Sequence, residues 1–181
     1  KKIAFLAAHA YAMEATTVQT AALIDRGADD YMLETAILKV YTTEALWQGV
    51  YDVLQVHGGQ GYFTNEPYAR MMRDARINTI GEGANEVLKP FIALVGMRDI
   101  GEGLKQTLEG LKSPKRILST LWQAGVSHVS PYLGVPQVPV VSRDLEAEAR
   151  LLGRRVRTFG WGIERLLIRQ REAILEAEYL Q

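Results

Sequence analysis

The sequence predicts an all-α protein, an up-and-down four-helix bundle followed by an additional C-terminal helical segment. Apolar residues recur at spacings of three and four over most of the chain, which is typical of amphipathic helices. Short polar connections separate the first patterns, so we expect neighbouring helices to run antiparallel. The 181 residues, 48% of them apolar, are enough for a buried core.

Composition excludes several classes of function. The 21 basic and 21 acidic residues balance, so no overall field attracts nucleic acid, and we expect no nucleic-acid partner. The chain has no cysteine, which excludes disulfides and thiolate catalysis and is compatible with a reducing compartment. His9, His57 and His128 are far apart in sequence, and the pattern therefore predicts no metal site. Neither a signal peptide nor a membrane span is evident.

The first two helices have clear boundaries in the sequence. Residues 3 to 26 predict the first helix, which Gly27 ends. Asp29 or Asp30 caps the second helix, which runs to about Gln55. The first helix is expected to bury Ile3, Leu6, Ala10, Met13, Thr17, Ala21 and Ile24. The second is expected to bury Leu33, Ile37, Val40, Tyr41, Trp47, Val50 and Leu54.

Two more helices complete the predicted bundle. Thr64 or Asn65 caps a short third helix that has Pro67 in its first turn. The fourth helix starts near Ala84 and continues towards Leu111, and Pro90 predicts a kink in it. The third helix is expected to bury Met71, Met72, Ala75 and Ile77. The fourth is expected to bury Val87, Phe91, Leu94, Val95 and Ile100.

The composition changes at Ser113, which predicts three regions. Residues 1–112 form the helical-bundle domain, 113–142 a proline-rich linker, and 143–181 the long helix of an appended helical region. The linker includes a short helix over Lys115 to Ala124. Neither end of the chain shows a helix start or stop signal, so we expect the sequence to be a piece of a larger protein.

The linker ends in an extended segment before the last helix. Val135 to Val140 is expected to be extended because Pro136 and Pro139 restrict its backbone. The spacing of these prolines occurs in SH3 ligands, but a linker packed on a helix is favoured. Ser142 or Asp144 caps the last helix. Its apolar side is expected to comprise Leu145, Leu152, Val156, Phe159, Ile163, Leu166, Leu167, Ile174 and Leu175.

One stretch, Gln55 to Glu86, is richer in glycine and charge than a helical bundle requires. Its glycines permit positive φ or a close approach by another group. Glu82 stands between two glycines just before the fourth helix. Taken singly, the glycine cluster indicates a turn, and Glu82 indicates a carboxylate favoured by a helix N-terminus.

The combination of these features resembles the C-terminal signature of acyl-CoA dehydrogenases. The resemblance extends from about Ile3 to Lys105. Within the family, the sequence is most similar to the very-long-chain branch, whose members carry further helices after the bundle. It rests on the segments Gln55-x-x-Gly58-Gly59-x-Gly61-Tyr62-x-x-Asn65, Arg70-x-x-x-Asp74, Glu82-Gly83-Ala84-Asn85 and Ala93-Leu94-Val95-Gly96.

The resemblance implies a reaction and a base. Members of this family dehydrogenate a fatty acyl-CoA to trans-2-enoyl-CoA in β-oxidation: a glutamate removes the α-proton, and the β-hydrogen leaves as hydride to FAD. Glu82 falls on the position of that glutamate, and an apolar-walled loop would make its carboxylate a stronger base. The backbone at Glu82 and Gly83 would bind the thioester carbonyl.

The resemblance also implies cofactor contacts and partners. One segment would contact the FAD of a neighbouring subunit, and it comprises Gln55, Val56, His57, Gly58 and Gly59. A second would line the flavin, and it comprises Ala84, Asn85 and Glu86. The implied partners are electron-transfer flavoprotein as acceptor and further copies in a homodimer or homotetramer. The implied location is the cytoplasm, or the mitochondrial matrix in a eukaryote.

Two departures from the family pattern keep alternatives open. Gly81 replaces a usually aromatic residue before the base, and Ala84 replaces a threonine. One alternative is an acyl-CoA oxidase-like flavoenzyme, and another is a catalytically silent helical scaffold that oligomerises. Because the family's other domains hold most of the flavin and CoA, we expect this chain alone to be inactive and to bind FAD weakly.

Overall fold

The computed structural model describes residues 1–111 and 134–170, and in this part of the chain all regular structure is helical. The predicted all-α class is therefore confirmed. The α-helices are α1 (Lys2–Asp25), α2 (Met32–His57), α3 (Tyr68–Ile77), α4 (Asn85–Leu111) and α5 (Glu146–Gln170). Two 3₁₀ segments cover Gly58–Tyr62 and Arg143–Leu145.

The chain divides into two compact units between Gly96 and Met97, within α4. The three regions predicted from the change at Ser113 remain predictions. The short helix expected over Lys115 to Ala124 lies outside the described residues.

Helix α2 is the centre of the first unit, since it packs against α1, α3 and the 3₁₀ segment that follows it. The core along α2 is built from small and medium side chains, among them Ala36, Val40 and Val50, with Ala75 from α3. Gly49 allows a close approach of α1, because a Cβ there would lie 2.9 Å from Leu6 Cδ2. Short side chains on α2 thus bring its neighbours close to its axis.

The helix boundaries follow the sequence signals closely. Gly27 has a φ of 81° after α1, as expected of a helix end. The N-cap of α2 is Tyr31 rather than Asp29 or Asp30, but the Asp30 carboxylate, one residue earlier, accepts a hydrogen bond from Met32 N–H at 3.1 Å. Pro67 is the N-cap of α3, one position earlier than the expected place in the first turn. The cap expected from Thr64 or Asn65 is therefore wrong, and no side chain caps this helix. Helix α4 continues through Pro90.

Several predicted burial assignments are wrong. No residue of α1 is buried, and Ile3 is 72% exposed; the side of α1 with partial burial includes Leu6, His9, Met13 and Leu23. The other expected core residues that are exposed are Ala10, Thr17, Ala21, Ile24, Ile37, Met71, Ile77, Val87 and Leu94. Periodicity locates the apolar residues of a helix, but the neighbouring helix decides which of them are covered.

The second unit contains α5 and the residues without regular structure that precede it. Ser142 Oγ accepts a hydrogen bond from Asp144 N–H at 3.3 Å and caps the 3₁₀ turn that leads into α5. Residues 135–140 contain no helix, and the carbonyl of Pro136 lies where a Cβ on Gly153 would stand. This segment therefore packs directly on the α5 backbone, and its extended conformation remains a prediction.

The apolar side expected for α5 is also only partly covered. Ile163, Leu166 and Leu167 are half-buried. Four expected core residues are exposed, namely Leu145, Leu152, Val156 and Phe159. The buried residue near the contact at Gly153 is instead the small residue Ala149, which lies one turn earlier on the same side of α5. Ile174 and Leu175 lie outside the described part of the chain.

Two further properties concern the described residues alone. No helix there is both long enough and apolar enough to cross a membrane. The same residues contain no group of three or more histidine or carboxylate side chains able to hold a metal ion.

An ion pair between α1 and α2 predicts a pH dependence of stability. The Lys2 ammonium donates to the buried Asp52 carboxylate, and together with Gln48 it holds the pKa of Asp52 below its ordinary value of 3.8. A carboxylate with a lowered pKa stabilises the fold above the pKa of the unfolded chain. That contribution is lost as the pH falls through the lowered value.

We therefore expect Asp52→Asn to lower the thermal unfolding temperature at neutral pH, with a difference from the parent that shrinks below pH 3.8. Asp74→Asn is the control, because Asp74 is exposed and lies 3.7 Å from Arg70, and an exposed pair contributes little. A difference for Asp52→Asn that stays constant with pH would contradict the assignment.

Candidate functional site

A closed loop joins α3 to α4. Asn85 N–H donates to the Thr79 carbonyl at 3.0 Å, which brings the two ends of the loop together. Thr79 and Asn85 are buried, with 9% and 5% of their surface exposed. Glu82 lies at the midpoint between them and is exposed. The loop therefore has fixed, buried ends and presents one carboxylate at its tip.

Glu82 has a backbone conformation that glutamate rarely adopts. Its φ is 55°, and it is the only non-glycine residue with a positive φ in the described part of the chain. Gly83 follows with a φ of 94°. A non-glycine residue in such a region costs about 1–3 kcal/mol, and such residues cluster at functional sites. The strain at Glu82 therefore supports a functional role for the tip.

A lysine from α2 holds the loop on the side of Gly83. Lys39 Nζ donates to the Gly83 carbonyl at 2.5 Å and to Asn85 Oδ1 at 2.7 Å. The Asn85 amide also exchanges hydrogen bonds with the Thr43 hydroxyl, one turn further along α2. The last part of the loop is thus bonded to two side chains on one face of α2.

The first part of the loop is held by Arg76. Its guanidinium donates to Thr79 Oγ1 at 2.5 Å and lies over the Trp47 ring, 5.8 Å from the ring centroid. Among the described residues, the nearby Asp74 carboxylate pairs with Arg70 rather than with Arg76. A planar guanidinium can bond a hydroxyl at its edge and stack on an indole with its face.

The backbone at the tip is available to a ligand. Within residues 1–111 and 134–170, neither the N–H of Glu82 nor that of Gly83 donates a hydrogen bond. Both residues are exposed. Glu82 is exposed, so the described residues alone do not supply the apolar walls expected around it, and that expectation remains a prediction for the whole protein. Two N–H groups at one exposed turn can donate hydrogen bonds to a carbonyl oxygen on which negative charge develops.

An open depression of about 580 Å³ lies beside the loop. It brings together Ala84, Asn85 and Glu86 from the predicted flavin segment, but neither Glu82 nor Gly83 lines it. Its wall on α2 includes Trp47 and Glu44, whose carboxylate bonds Lys89 at 2.7 Å. The remaining lining residues are Gln48, Arg76, Thr79, Ile80 and Lys89.

The predicted segment Gln55, Val56, His57, Gly58 and Gly59 lies elsewhere, at the exposed end of α2. None of these residues lines the depression. His57 Nδ1 lies 2.8 Å from the Val53 carbonyl, and its ring stacks on Tyr68 with centroids 4.0 Å apart. The structure therefore presents the two predicted cofactor segments at separate places on this chain.

The glycines of this segment differ in what they require. Gly58 has a φ of 60°, and no atom lies within 4 Å of a Cβ built at Gly58 or Gly59. Gly61 is a packing residue, because a Cβ there would lie 2.9 Å from His57 Cβ. The exposed backbone of the first two glycines is therefore accessible.

Sequence reasoning missed Lys39, Thr43 and Thr79, which hold the loop. Lys39 and Thr43 stand four residues apart on a helix and so share a face, and the buried residues Ala36 and Val40 lie beside them. Polar side chains that border a stripe of buried residues on a helix can indicate that the helix bonds a neighbouring loop. The partners of these side chains become evident only once the loop is placed in space.

Comparison with known proteins identifies the family. The profile described as acyl-CoA dehydrogenase, C-terminal domain, matches residues 1–96, a range that ends where the first compact unit ends. This chain belongs to the acyl-CoA dehydrogenase family.

Individual relatives extend the similarity. The chain is 29% identical over 184 residues to the mitochondrial very long-chain specific acyl-CoA dehydrogenases of Bos taurus and Homo sapiens, covering 99% of this chain and 28% of each relative. It is 35% identical over 102 residues to the probable acyl-CoA dehydrogenase FadE10 of Mycobacterium tuberculosis, covering 51% of this chain and 16% of that protein. The chain thus spans less than a third of the length of these relatives.

The strained tip predicts an unusual effect on stability. Because glycine tolerates positive φ, Glu82→Gly should raise the free energy of unfolding of this chain by about 1 kcal/mol. The control is Glu86→Gly in the first turn of α4, which should lower it by roughly 0.5–1 kcal/mol. Chemical denaturation measures both. Equal destabilisation by the two substitutions would show that the tip is not strained.

Proposed function

We propose that the whole protein is a flavin-dependent acyl-CoA dehydrogenase that converts a fatty acyl-CoA to trans-2-enoyl-CoA, with Glu82 as the catalytic base. The observation that carries the proposal is the exposed, positive-φ Glu82 at the tip of a loop with buried ends. The family membership of residues 1–96 adds support. The resemblance of Glu82-Gly83-Ala84-Asn85 to the family motif also implies that Glu82 is the base.

In this proposal the chain moves one proton and holds one carbonyl. The Glu82 carboxylate accepts the α-proton of the thioester. As the proton leaves, negative charge builds on the carbonyl oxygen of the thioester. The exposed N–H of Glu82 stabilises that oxygen. A carboxylate acts as a base more readily in surroundings that exclude water. We propose that other domains of the whole protein supply those surroundings.

The residues present fit FAD. The open backbone at Gly58 and Gly59 leaves room for a phosphate group. Asn85 is buried and its amide is engaged, so Ala84 and Glu86 offer the accessible surface of the second segment. When bound, FAD supplies the acceptor for the β-hydrogen. Because the two segments lie apart on this chain, we propose that they serve different FAD molecules in a homodimer or homotetramer.

The remaining expectations also belong to the whole protein. We propose electron-transfer flavoprotein as the acceptor. We propose the mitochondrial matrix as the location in a eukaryote, and the cytoplasm otherwise. The relatives named mitochondrial support the first location. Transfer of electrons to oxygen instead would favour the oxidase-like alternative.

Gly81 and Ala84 favour a second candidate, the catalytically silent scaffold, because each lacks a side chain that the family pattern has. At Gly81 the backbone does not require glycine, since a Cβ would lie 3.5 Å from the Ile77 carbonyl, an ordinary contact. A side chain at position 81 is therefore compatible with the backbone of this loop. A full-length protein that binds FAD but is not reduced by any acyl-CoA would favour the scaffold.

The base assignment predicts the effect of one substitution. Glu82→Gln in the full-length protein keeps the shape of the side chain and removes the proton acceptor, so flavin reduction by acyl-CoA should slow by at least about a hundredfold. Thioester affinity should be retained, because the backbone N–H is unchanged. Anaerobic stopped-flow absorbance measures the rate.

Glu86→Gln is the matched control, because Glu86 is the next carboxylate and lies one turn further along. If flavin reduction is slow in Glu86→Gln but proceeds at the parent rate in Glu82→Gln, Glu86 is the base and the assignment to Glu82 is wrong.

The proposal also predicts that the isolated 181-residue chain binds FAD weakly or not at all and is inactive. In the family, most contacts to flavin and CoA come from other domains. Titration of FAD fluorescence with the isolated chain measures binding. Tight, stoichiometric quenching would contradict the prediction.

A further inference from the structure

We propose that Lys39 is a positioning residue that keeps Glu82 in its catalytic conformation, an inference that rests on the proposed function. Lys39 Nζ bonds the Gly83 carbonyl and Asn85 Oδ1 at 2.5 and 2.7 Å. Both acceptors belong to the loop that carries Glu82. Lys39 itself stands on α2, the central helix of the first unit. The loop is thus tied to the most firmly packed helix of that unit.

The partners of Lys39 set it apart from other lysines of the chain. Lys2 pairs with Asp52, and Lys89 pairs with Glu44. Lys39 is half-buried, and within residues 1–111 and 134–170 it pairs with no carboxylate. A partly desolvated ammonium normally has an anionic partner. Here the ammonium bonds only neutral oxygens of the loop.

Stabilisation of α4 does not explain this arrangement. The ammonium lies at the N-terminal end of α4, where Asn85 begins the helix. That end carries the positive pole of the helix dipole, which disfavours a cation. The favourable contact is instead with the Gly83 carbonyl, a group that belongs to the turn.

The geometry links this contact to the conformation of Glu82. The hydrogen bond between Thr79 and Asn85 fixes the two ends of the loop, and Lys39 fixes the carbonyl that follows the tip. With these points held, Glu82 keeps its φ of 55°. Without Lys39 the Gly83 peptide can rotate, Glu82 can relax to negative φ, and its carboxylate moves away from the reacting carbon.

The first test is kinetic and uses the full-length flavoprotein. Lys39→Met should slow flavin reduction by acyl-CoA at least about tenfold, since small displacements of a catalytic group are costly. Because most contacts to CoA come from other domains, it should weaken thioester binding by a smaller factor than it slows reduction. Lys39→Arg keeps the charge and donors and should recover most of the rate. Lys2→Met is the matched control, because it removes a lysine bonded to α2 far from the loop, and it should reduce flavin at the parent rate.

The second test does not depend on activity. Hydrogen exchange of the peptide covering residues 78–86 should accelerate at least about tenfold in Lys39→Met and stay at the parent rate in Lys2→Met, because a charged hydrogen bond to the loop is lost only in the first. If Lys39→Met does not fold, Lys39→Gln takes its place, with the same direction expected because the charge is removed.

The outcomes separate this inference from the proposed function. Slow reduction by Glu82→Gln together with parent-like reduction and exchange in Lys39→Met overturns the positioning role alone. Faster exchange with a parent-like reduction rate overturns it as well, because the contact would then be structural only. Parent-like reduction by Glu82→Gln overturns the proposed function, and the positioning role with it.

Discussion

The hydrogen bond between Asn85 N–H and the Thr79 carbonyl is the constraint on which the candidate site depends. It closes the loop between α3 and α4 and buries both ends, so the residues between them must turn sharply. Glu82 and Gly83 make that turn with positive φ angles. A closed loop on a packed scaffold can hold a catalytic group more accurately than an open one.

Helix α2 connects this loop to the rest of the first unit. Its small core residues allow α1 and α3 to approach, and its polar face bonds the loop through Lys39 and Thr43. Trp47 on the same helix lies beneath Arg76, which holds the other side of the loop. The conformation of Glu82 therefore depends on the packing of α2. A substitution that shifts this helix is expected to change the backbone conformation at the loop tip.

The sequence predicted the helices and their approximate ends well, because the residues that determine them are local: Gly27 follows the end of α1, and Asp30 accepts a hydrogen bond from the first N–H of α2. The residue at the loop tip, Glu82, was also found from sequence, because glycines flank it. Burial was predicted less well, as Ile3 and Val87 show, since it depends on neighbouring helices. Lys39 was missed for the same reason: its acceptors lie more than forty residues away in the sequence.

The role of Glu82 as a base held in place by the loop is tested most directly by a crystal structure of the full-length protein with FAD and a non-oxidisable acyl-CoA analogue. We expect a Glu82 carboxylate oxygen about 3–3.5 Å from the α-carbon, a positive φ at Glu82, and Lys39 Nζ bonded to the Gly83 carbonyl. A different carboxylate at the α-carbon, with Glu82 directed into solvent, would contradict it.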